Sequence, residues 1–233
     1  MSTLHYVFDP LCGWCYGAAP LISAARGVAG LDIALHAGGM MAGPNRQPVT
    51  PQLRDYVMRH DRRIAQLTGQ PFGEAYFEGL LRDTTAVMDS APPCTAILAA
   101  EALAGRGLDM LHRVQHAHYV EGRRIADAGV LAELARELGL HPAAFEAIHA
   151  RLEGAATERH FVESRNWLAR NGGDGFPTIV LEQADGALDR LDIGDWLSCP
   201  AEWADYLRQR ISGQADSVQS RSDSVCSAGR CDI

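Results

Sequence analysis

The sequence lacks a long hydrophobic run, because Gly, Pro or a charged residue interrupts every apolar stretch within a few residues. A helix that crosses a bilayer needs about 20 consecutive apolar residues, so no membrane partner is expected. The segment from Met1 to Phe8 also lacks a basic region, a long apolar core and a small-residue cleavage site. We therefore expect no secretory signal and a cytoplasmic location.

Positive charge is scarce as well. The chain has 21 basic against 29 acidic side chains, and its formal net charge is -8. Such a surface repels phosphate backbones and anionic lipids, so nucleic acid is not an expected partner.

Cysteine is too sparse for a scaffold held together by disulfides. The 233 residues include 6 cysteines, which are Cys12, Cys15, Cys94, Cys199, Cys226 and Cys231. In a reducing compartment, cysteines in a chain of this kind are more often catalytic or metal-binding than structural.

Hydrophobic patterning predicts an α/β protein with a β-α-β unit, a helical block and a closing β-β-α unit. This order matches a thioredoxin fold that carries a large all-helical insertion between its two halves. The predicted parts are the first half of the thioredoxin domain at 1–43, the helical insertion at 44–165, the second half at 166–213 and a flexible tail with a Cys pair at 214–233.

The sequence Cys12-Gly13-Trp14-Cys15 lies at the predicted strand-to-helix junction. Thiol–disulfide exchange needs an attacking thiolate and a second thiol that resolves the mixed disulfide. Two intervening residues bring both sulfurs within bonding reach, and unpaired N–H groups of a first helical turn stabilise a thiolate. We predict that Cys12 attacks, Cys15 resolves, and Trp14 shields the site and contacts substrate.

A second signature is Gly175-Phe176-Pro177-Thr178, directly before a predicted strand. In thioredoxin folds a cis proline faces the Cys pair, and the preceding residue presents its backbone to an extended substrate. We therefore predict that Pro177 is cis and that Phe176 and Pro177 bind substrate.

Two questions about the cysteines stay open at this point. Zinc would need Cys12 and Cys15 together with Cys226 and Cys231 as four ligands. The strand-to-helix position of the first pair favours redox chemistry over a zinc site, so no metal or other cofactor is expected. The tail pair is either an accessory dithiol that exchanges with Cys12–Cys15 or two exposed thiols without a role.

The segment from Phe8 to Gly17 resembles the active-site region of DsbA-like thioredoxin-fold proteins, in particular the FrnE-type branch of predicted protein-disulfide isomerases. Residues 117–127 and 175–178 fit the same branch, and the resemblance covers most of 4–211. It implies dithiol–disulfide catalysis in which Cys12, Cys15 and Pro177 carry over. Asp9 also fits the family pattern and is a candidate for local hydrogen bonding or proton handling.

The expected function is therefore a thiol–disulfide oxidoreductase, a reductase or isomerase that works through a mixed-disulfide intermediate. Its partners would be protein or small-molecule disulfides and a thiol reductant such as glutathione or thioredoxin. Some FrnE-like proteins carry a tail pair, which is the basis for considering Cys226 and Cys231 as accessory residues.

The chain departs from DsbA itself at two places. DsbA has Pro-His between its cysteines, whereas this chain has Gly13-Trp14, so a donor or cation beside the thiolate is missing. The disulfide should then be a weaker oxidant than that of DsbA, whose potential is about -120 mV. Tyr6 also stands where many thioredoxin-like enzymes keep a buried acid, which leaves the proton-transfer partner unassigned.

Two other classes of function remain as alternatives. Glutathione-dependent transferases and isomerases of the kappa-like group share this architecture but place Ser at the position of Cys12, so the intact pair argues against them. The second alternative is a non-enzymatic protein that binds zinc or acts like a chaperone.

Overall fold

The computed structural model describes residues 1–213 of the chain. Its main sheet has four strands in the order β2-β1-β5-β6. β1 pairs in parallel with β2 and antiparallel with β5, and β5 pairs antiparallel with β6. These strands are β1 (Ser2–Phe8), β2 (Leu31–Ala37), β5 (Thr178–Glu182) and β6 (Leu188–Leu191). The predicted thioredoxin-like α/β fold is confirmed.

Nine helices accompany the sheet within the described residues. They are α1 (Gly13–Gly17), α2 (Ala19–Arg26), α3 (Pro51–Thr68), α4 (Ala91–Ala104), α5 (Gly107–Tyr119), α6 (Ala128–Glu137), α7 (Pro142–Leu152), α8 (Ala155–Arg170) and α9 (Pro200–Ile211). Helices α3 to α8 lie between β2 and β5, which agrees with a helical insertion.

The insertion differs in two details from the pattern in the sequence. A short antiparallel ribbon of β3 (Gln47–Pro48) and β4 (Val87–Met88) interrupts the helices. Two-residue strands are too short to leave a periodic signal. Helix α8 also extends across the predicted boundary at 165.

β1 is a central strand, and Leu4, Val7 and Phe8 are each 0% exposed. Trp203 of α9 is equally buried and belongs to the same core cluster as Leu4 and Phe8. This packing holds the end of β1, and the cysteines that follow it, on a rigid support.

A second apolar cluster joins α1 to the insertion. Tyr16 of α1 stacks on Tyr119 of α5, with ring centroids 4.7 Å apart, and Phe72 packs edge-on against both rings. The cluster includes Tyr76 and Met88 as well. The insertion therefore packs directly against the helix that carries the Cys pair.

Within residues 1–213, no helix combines the length and the apolar character that a bilayer crossing requires.

Candidate active site

The two cysteines lie where β1 ends and α1 begins. Cys12 occupies the N-cap of α1 with an extended backbone, and it is 6% exposed, while Cys15 in the first turn is 0% exposed. Both are free thiols. The sulfur of an attacking residue must reach a substrate whereas that of a resolving residue need not, and this difference in exposure fits the roles predicted for them.

Burial raises the pKa of Cys15 well above its usual value, and the neighbouring Cys12 thiol raises it further. A buried thiol with a raised pKa stays protonated until its partner sulfur is engaged. Its raised pKa fits the resolving role that the sequence predicts for Cys15.

The peptide bond between Phe176 and Pro177 is cis, as the sequence predicted. The Phe176 carbonyl oxygen accepts a hydrogen bond from Cys12 Sγ at 3.4 Å. The loop before β5 therefore meets the Cys pair directly, although these residues are separated by more than 160 positions in the chain.

The Phe176 ring packs on the backbone of Gly38, so closely that a Cβ on Gly38 would overlap the ring. The Arg165 guanidinium of α8 fixes the same loop, donating to the Gly38 oxygen at 2.7 Å and the Gly39 oxygen at 2.5 Å. Trp14 is half-buried against the main core.

Asp9 is fully buried and binds three donors from three parts of the chain. Its Oδ1 accepts from the Leu11 N–H and from the Ser90 hydroxyl, each at 2.9 Å, and its Oδ2 accepts from the Met40 N–H at 2.5 Å. Burial raises the pKa of Asp9 to about 6, against the lowering effect of these hydrogen bonds. The carboxylate thereby ties together the end of β1, the loop after β2 and the start of α4.

Ser90 fits a helix N-cap in the sequence, and it stands at that position of α4, but its side chain makes no capping hydrogen bond. Its hydroxyl instead donates to Asp9 and accepts from the Met41 N–H at 2.9 Å. A capping side chain accepts from a backbone N–H of the first helical turn, whereas the Ser90 oxygen accepts from the Met41 N–H instead.

Tyr6 donates a hydrogen bond from its hydroxyl to the Cys15 carbonyl oxygen at 3.1 Å. Burial raises its pKa well above the usual value, so the hydroxyl remains a donor. The position that holds an acid in many thioredoxin-like enzymes therefore supports the backbone of the active-site turn.

The structure adds a residue that the sequence did not reveal. Asp61 of α3 is 4% exposed, accepts a hydrogen bond from the Tyr76 hydroxyl at 2.8 Å, and lies against Gly13 between the two cysteines. The only signal in the sequence is the spacing of Gly13 and Gly17, which permits close approach of another helix but does not identify it.

Two further cysteines lie within residues 1–213, apart from the Cys pair itself. Cys94 is buried in α4 and Cys199 is partly exposed at the start of α9. Cys226 and Cys231 lie outside the described residues. Within residues 1–213, no group of three or more His, Cys, Asp or Glu side chains is placed to hold a metal ion.

Comparison with known proteins gives a consistent result. A family model described as the DSBA-like thioredoxin domain matches residues 3–193. The cytosolic disulfide reductase DsbM from Pseudomonas aeruginosa is 57% identical, with a TM-score of 0.85 over 90% of this chain and 98% of that chain. A comparison with curated protein sequences gives no match.

Two further solved structures are similar. DsbM from Pseudomonas aeruginosa with GSH is 55% identical, with a TM-score of 0.84 over 90% of this chain and 99% of that chain. A candidate protein disulfide isomerase from Nitrosomonas europaea is 23% identical, with a TM-score of 0.73 over 94% of this chain and 98% of that chain. At that identity the second likeness concerns the fold alone.

Proposed function

From the premise that this chain belongs to the DSBA-like thioredoxin domain family, we propose that it reduces disulfides through Cys12 and Cys15. The chain is an enzyme of the thiol–disulfide oxidoreductase class. The observation that supports the assignment to these two residues is the contact of Cys12 Sγ with the Phe176 carbonyl oxygen, beside the cis peptide bond. The Cys pair and the cis-proline loop, which is proposed to bind substrate, meet at this point.

In the proposed reaction, the Cys12 thiolate attacks one sulfur of the substrate disulfide, and the other substrate sulfur leaves as a thiolate that takes up a proton. Cys15 then gives up its proton and attacks Cys12 Sγ, which releases the second substrate thiol. The substrate gains two electrons and two protons, and the enzyme is left with a Cys12–Cys15 disulfide. Two reductant thiols return it to the dithiol form.

Phe176 and Trp14 are proposed to hold the substrate beside Cys12. The clamp of Arg165 on Gly38 and Gly39 keeps the surface under the Phe176 ring rigid. The Phe176 carbonyl would exchange its contact with the Cys12 thiol for one with an N–H group of an extended substrate.

Asp9 is proposed as a positioning residue rather than a proton shuttle. Its two oxygens already accept from Leu11, Met40 and Ser90, so the carboxylate is committed to holding the turn before Cys12.

We propose glutathione as the thiol reductant and the cytoplasm as the compartment. A similar protein, the cytosolic reductase DsbM, has been solved with GSH. A cytosolic glutathione pool poised at about -220 to -260 mV can reduce a disulfide of comparable or higher potential.

Replacement of Cys15 by Ser is expected to trap mixed disulfides, because the first exchange proceeds but no resolving thiol remains. Incubation of Cys15→Ser with oxidised glutathione should add one glutathionyl group to Cys12, detected by intact-mass measurement and peptide mapping. Cys199→Ser, which replaces a partly exposed cysteine outside the site, is the control under the same treatment. It should retain no glutathionyl group on Cys12, because Cys15 displaces it. A Cys15→Ser protein without a glutathionyl group on Cys12 would contradict the assignment of Cys12 as nucleophile.

A further inference from the structure

A buried carboxylate from the helical insertion lies against the Cys pair. Asp61 of α3 is 4% exposed, and a Cβ on Gly13 would overlap Asp61 Oδ1 and come within 2.9 Å of Ile64 Cδ1. Gly13 is the first of the two residues between the cysteines. Its missing side chain is therefore what allows the carboxyl to reach the active-site turn.

Tyr76 holds the Asp61 side chain in this orientation. The Tyr76 hydroxyl donates to Asp61 Oδ2 at 2.8 Å, which leaves Oδ1 directed at Gly13. Tyr76 is itself 2% exposed and is packed between Phe72, Phe77 and the aromatic residues of α5. The position of the carboxyl is thus set by the core of the insertion.

No positive charge compensates this carboxyl among residues 1–213. None of the ion pairs there includes Asp61, and the guanidinium of the adjacent Arg62 lies over the Phe77 ring, 5.7 Å from its centroid. The His118 ring of α5 packs at a tilt against Tyr76, but burial lowers the pKa of His118 to about 3 and keeps it neutral. The other titratable groups around the Cys pair are a second buried carboxyl, that of Asp9, together with thiols and phenols. The thiols and phenols are Cys12, Cys15, Tyr6, Tyr16, Tyr76 and Tyr119. Asp9 is unchanged in every variant compared below, so its titration contributes equally to all of them.

The cluster and the dithiol are within electrostatic reach of each other. Burial raises the pKa of Tyr119 well above its usual value, and negative charge on Tyr76, Asp61 or either cysteine raises it further. In the described part of the chain the hydroxyl of this tyrosine has no hydrogen-bond partner. The Tyr119 hydroxyl therefore does not donate a hydrogen bond to Asp61 or to either sulfur.

We propose that Asp61 tunes the Cys12–Cys15 pair toward reduction of substrates, because its carboxylate disfavours the Cys12 thiolate. A like charge close by destabilises an anion, and a disulfide is a strong oxidant when its reduced thiolate form is stabilised. The ionised Asp61 therefore makes the reduced enzyme a better electron donor. This role rests on the proposed function, since it requires Cys12 to be the reactive thiol.

Protonation links the effect to pH. Burial raises the pKa of Asp61 from 3.8 to about 7, and the Tyr76 hydrogen bond opposes that rise. The carboxyl is thus largely neutral at pH 6 and largely ionised at pH 8. Its repulsion of the thiolate is present at the higher pH and fades as the pH falls through about 7.

The test compares Asp61→Asn with Asp55→Asn, which removes the same charge from an exposed position of α3. Asn is close in shape to Asp and its oxygen still accepts from Tyr76. At pH 8 we expect Asp61→Asn to shift the equilibrium with glutathione about tenfold toward the reduced enzyme, which is about 30 mV more oxidising. Alkylation of Cys12 by iodoacetamide should be about threefold faster, because a larger thiolate fraction is partly offset by lower nucleophilicity. Both differences should shrink at pH 6.

Tyr76→Phe provides a second variant that retains the carboxyl. Loss of the hydrogen bond raises the pKa of Asp61 further, so at pH 7 the redox equilibrium of this variant should shift in the same direction as that of Asp61→Asn, by a smaller factor.

Melting temperatures give an independent check, because the raised pKa of Asp61 means that its ionised form destabilises the fold. Wild type should lose stability relative to Asp61→Asn as the pH rises from about 4 to about 7.

An Asp61→Asn protein that matches Asp55→Asn in both redox equilibrium and alkylation rate would overturn this role. Cys12→Ser separates that outcome from failure of the proposed function. If the fast alkylation signal persists without Cys12, then the assignment of the nucleophile is wrong. If the signal belongs to Cys12 and does not respond to Asp61, then only the role of Asp61 is wrong.

Discussion

Replacement of Cys12 by Ser is expected to lower disulfide reductase activity by about 10³-fold or more, because a serine hydroxyl does not form the mixed disulfide on which turnover depends. The measurement is glutathione-dependent reduction of bis(2-hydroxyethyl) disulfide, followed through NADPH consumption by coupled glutathione reductase. Serine differs from cysteine by a single atom, so the substitution should leave the fold intact and the loss should be one of chemistry.

Cys199→Ser is the matched control for this experiment, since Cys199 is a free, partly exposed cysteine of the second half of the domain. Its activity should equal that of wild type. Turnover by Cys12→Ser within tenfold of wild type would show that another residue carries the reaction.

Replacement of Asp9 by Ala is expected to have the largest effect on stability. The change leaves the Leu11 and Met40 N–H groups and the Ser90 hydroxyl without their acceptor in a site from which water is excluded. Each unsatisfied buried group costs about 1–3 kcal/mol, so a loss of about 3–5 kcal/mol in the free energy of unfolding is expected. Urea denaturation followed by circular dichroism measures it.

Asp9→Asn keeps the size and shape of the side chain but replaces one of its two acceptor oxygens by an NH₂ group. One amide oxygen can still serve Leu11 and Ser90, but the amide NH₂ then faces the Met40 N–H, so a loss of about 1–3 kcal/mol is expected. Asp32→Ala, which removes an exposed carboxylate from β2, should change stability by less than about 0.5 kcal/mol. An Asp9→Ala protein as stable as Asp32→Ala would contradict the positioning role of Asp9.

The parts of the site that could be predicted from the sequence are those with a recognisable motif within a few consecutive residues. The apolar run of β1, the Cys pair after it and the Phe176-Pro177 dipeptide before β5 each leave a signal within a few residues. The alternation of strands and helices then places these signals in one fold. Because a thioredoxin-like order of elements brings the two segments together, the contact between Cys12 and Phe176 could be expected before any coordinates.

Contacts between distant segments could not be expected in this way. The environment of Asp9 requires Met40 and Ser90 to come from two other parts of the chain, and the local pattern around Ser90 suggests a helix cap. Asp61 is part of an amphipathic helix with many charged residues, where an acid usually lies in solvent. Only the packing of α3 against the glycines of α1 shows that this one is buried.

Gly13 illustrates how such packing explains a sequence choice. A proline at this position, as in DsbA, would place ring atoms where Asp61 Oδ1 and the Ile64 side chain lie. Glycine leaves that space free. The difference between Gly-Trp and Pro-His is therefore coupled to the helical insertion, and is not a change confined to the active-site turn.

The reduction potential of the Cys12–Cys15 pair tests this account most directly. It is obtained by equilibration with defined ratios of reduced to oxidised glutathione, followed by alkylation and mass measurement of each redox state. A value near about -250 mV at pH 7, within reach of the glutathione pool, is expected, because Gly13-Trp14 places no His between the cysteines and Asp61 disfavours a thiolate there. A value above about -200 mV would contradict the account, since the pair would then act as an oxidant or isomerase rather than a reductase.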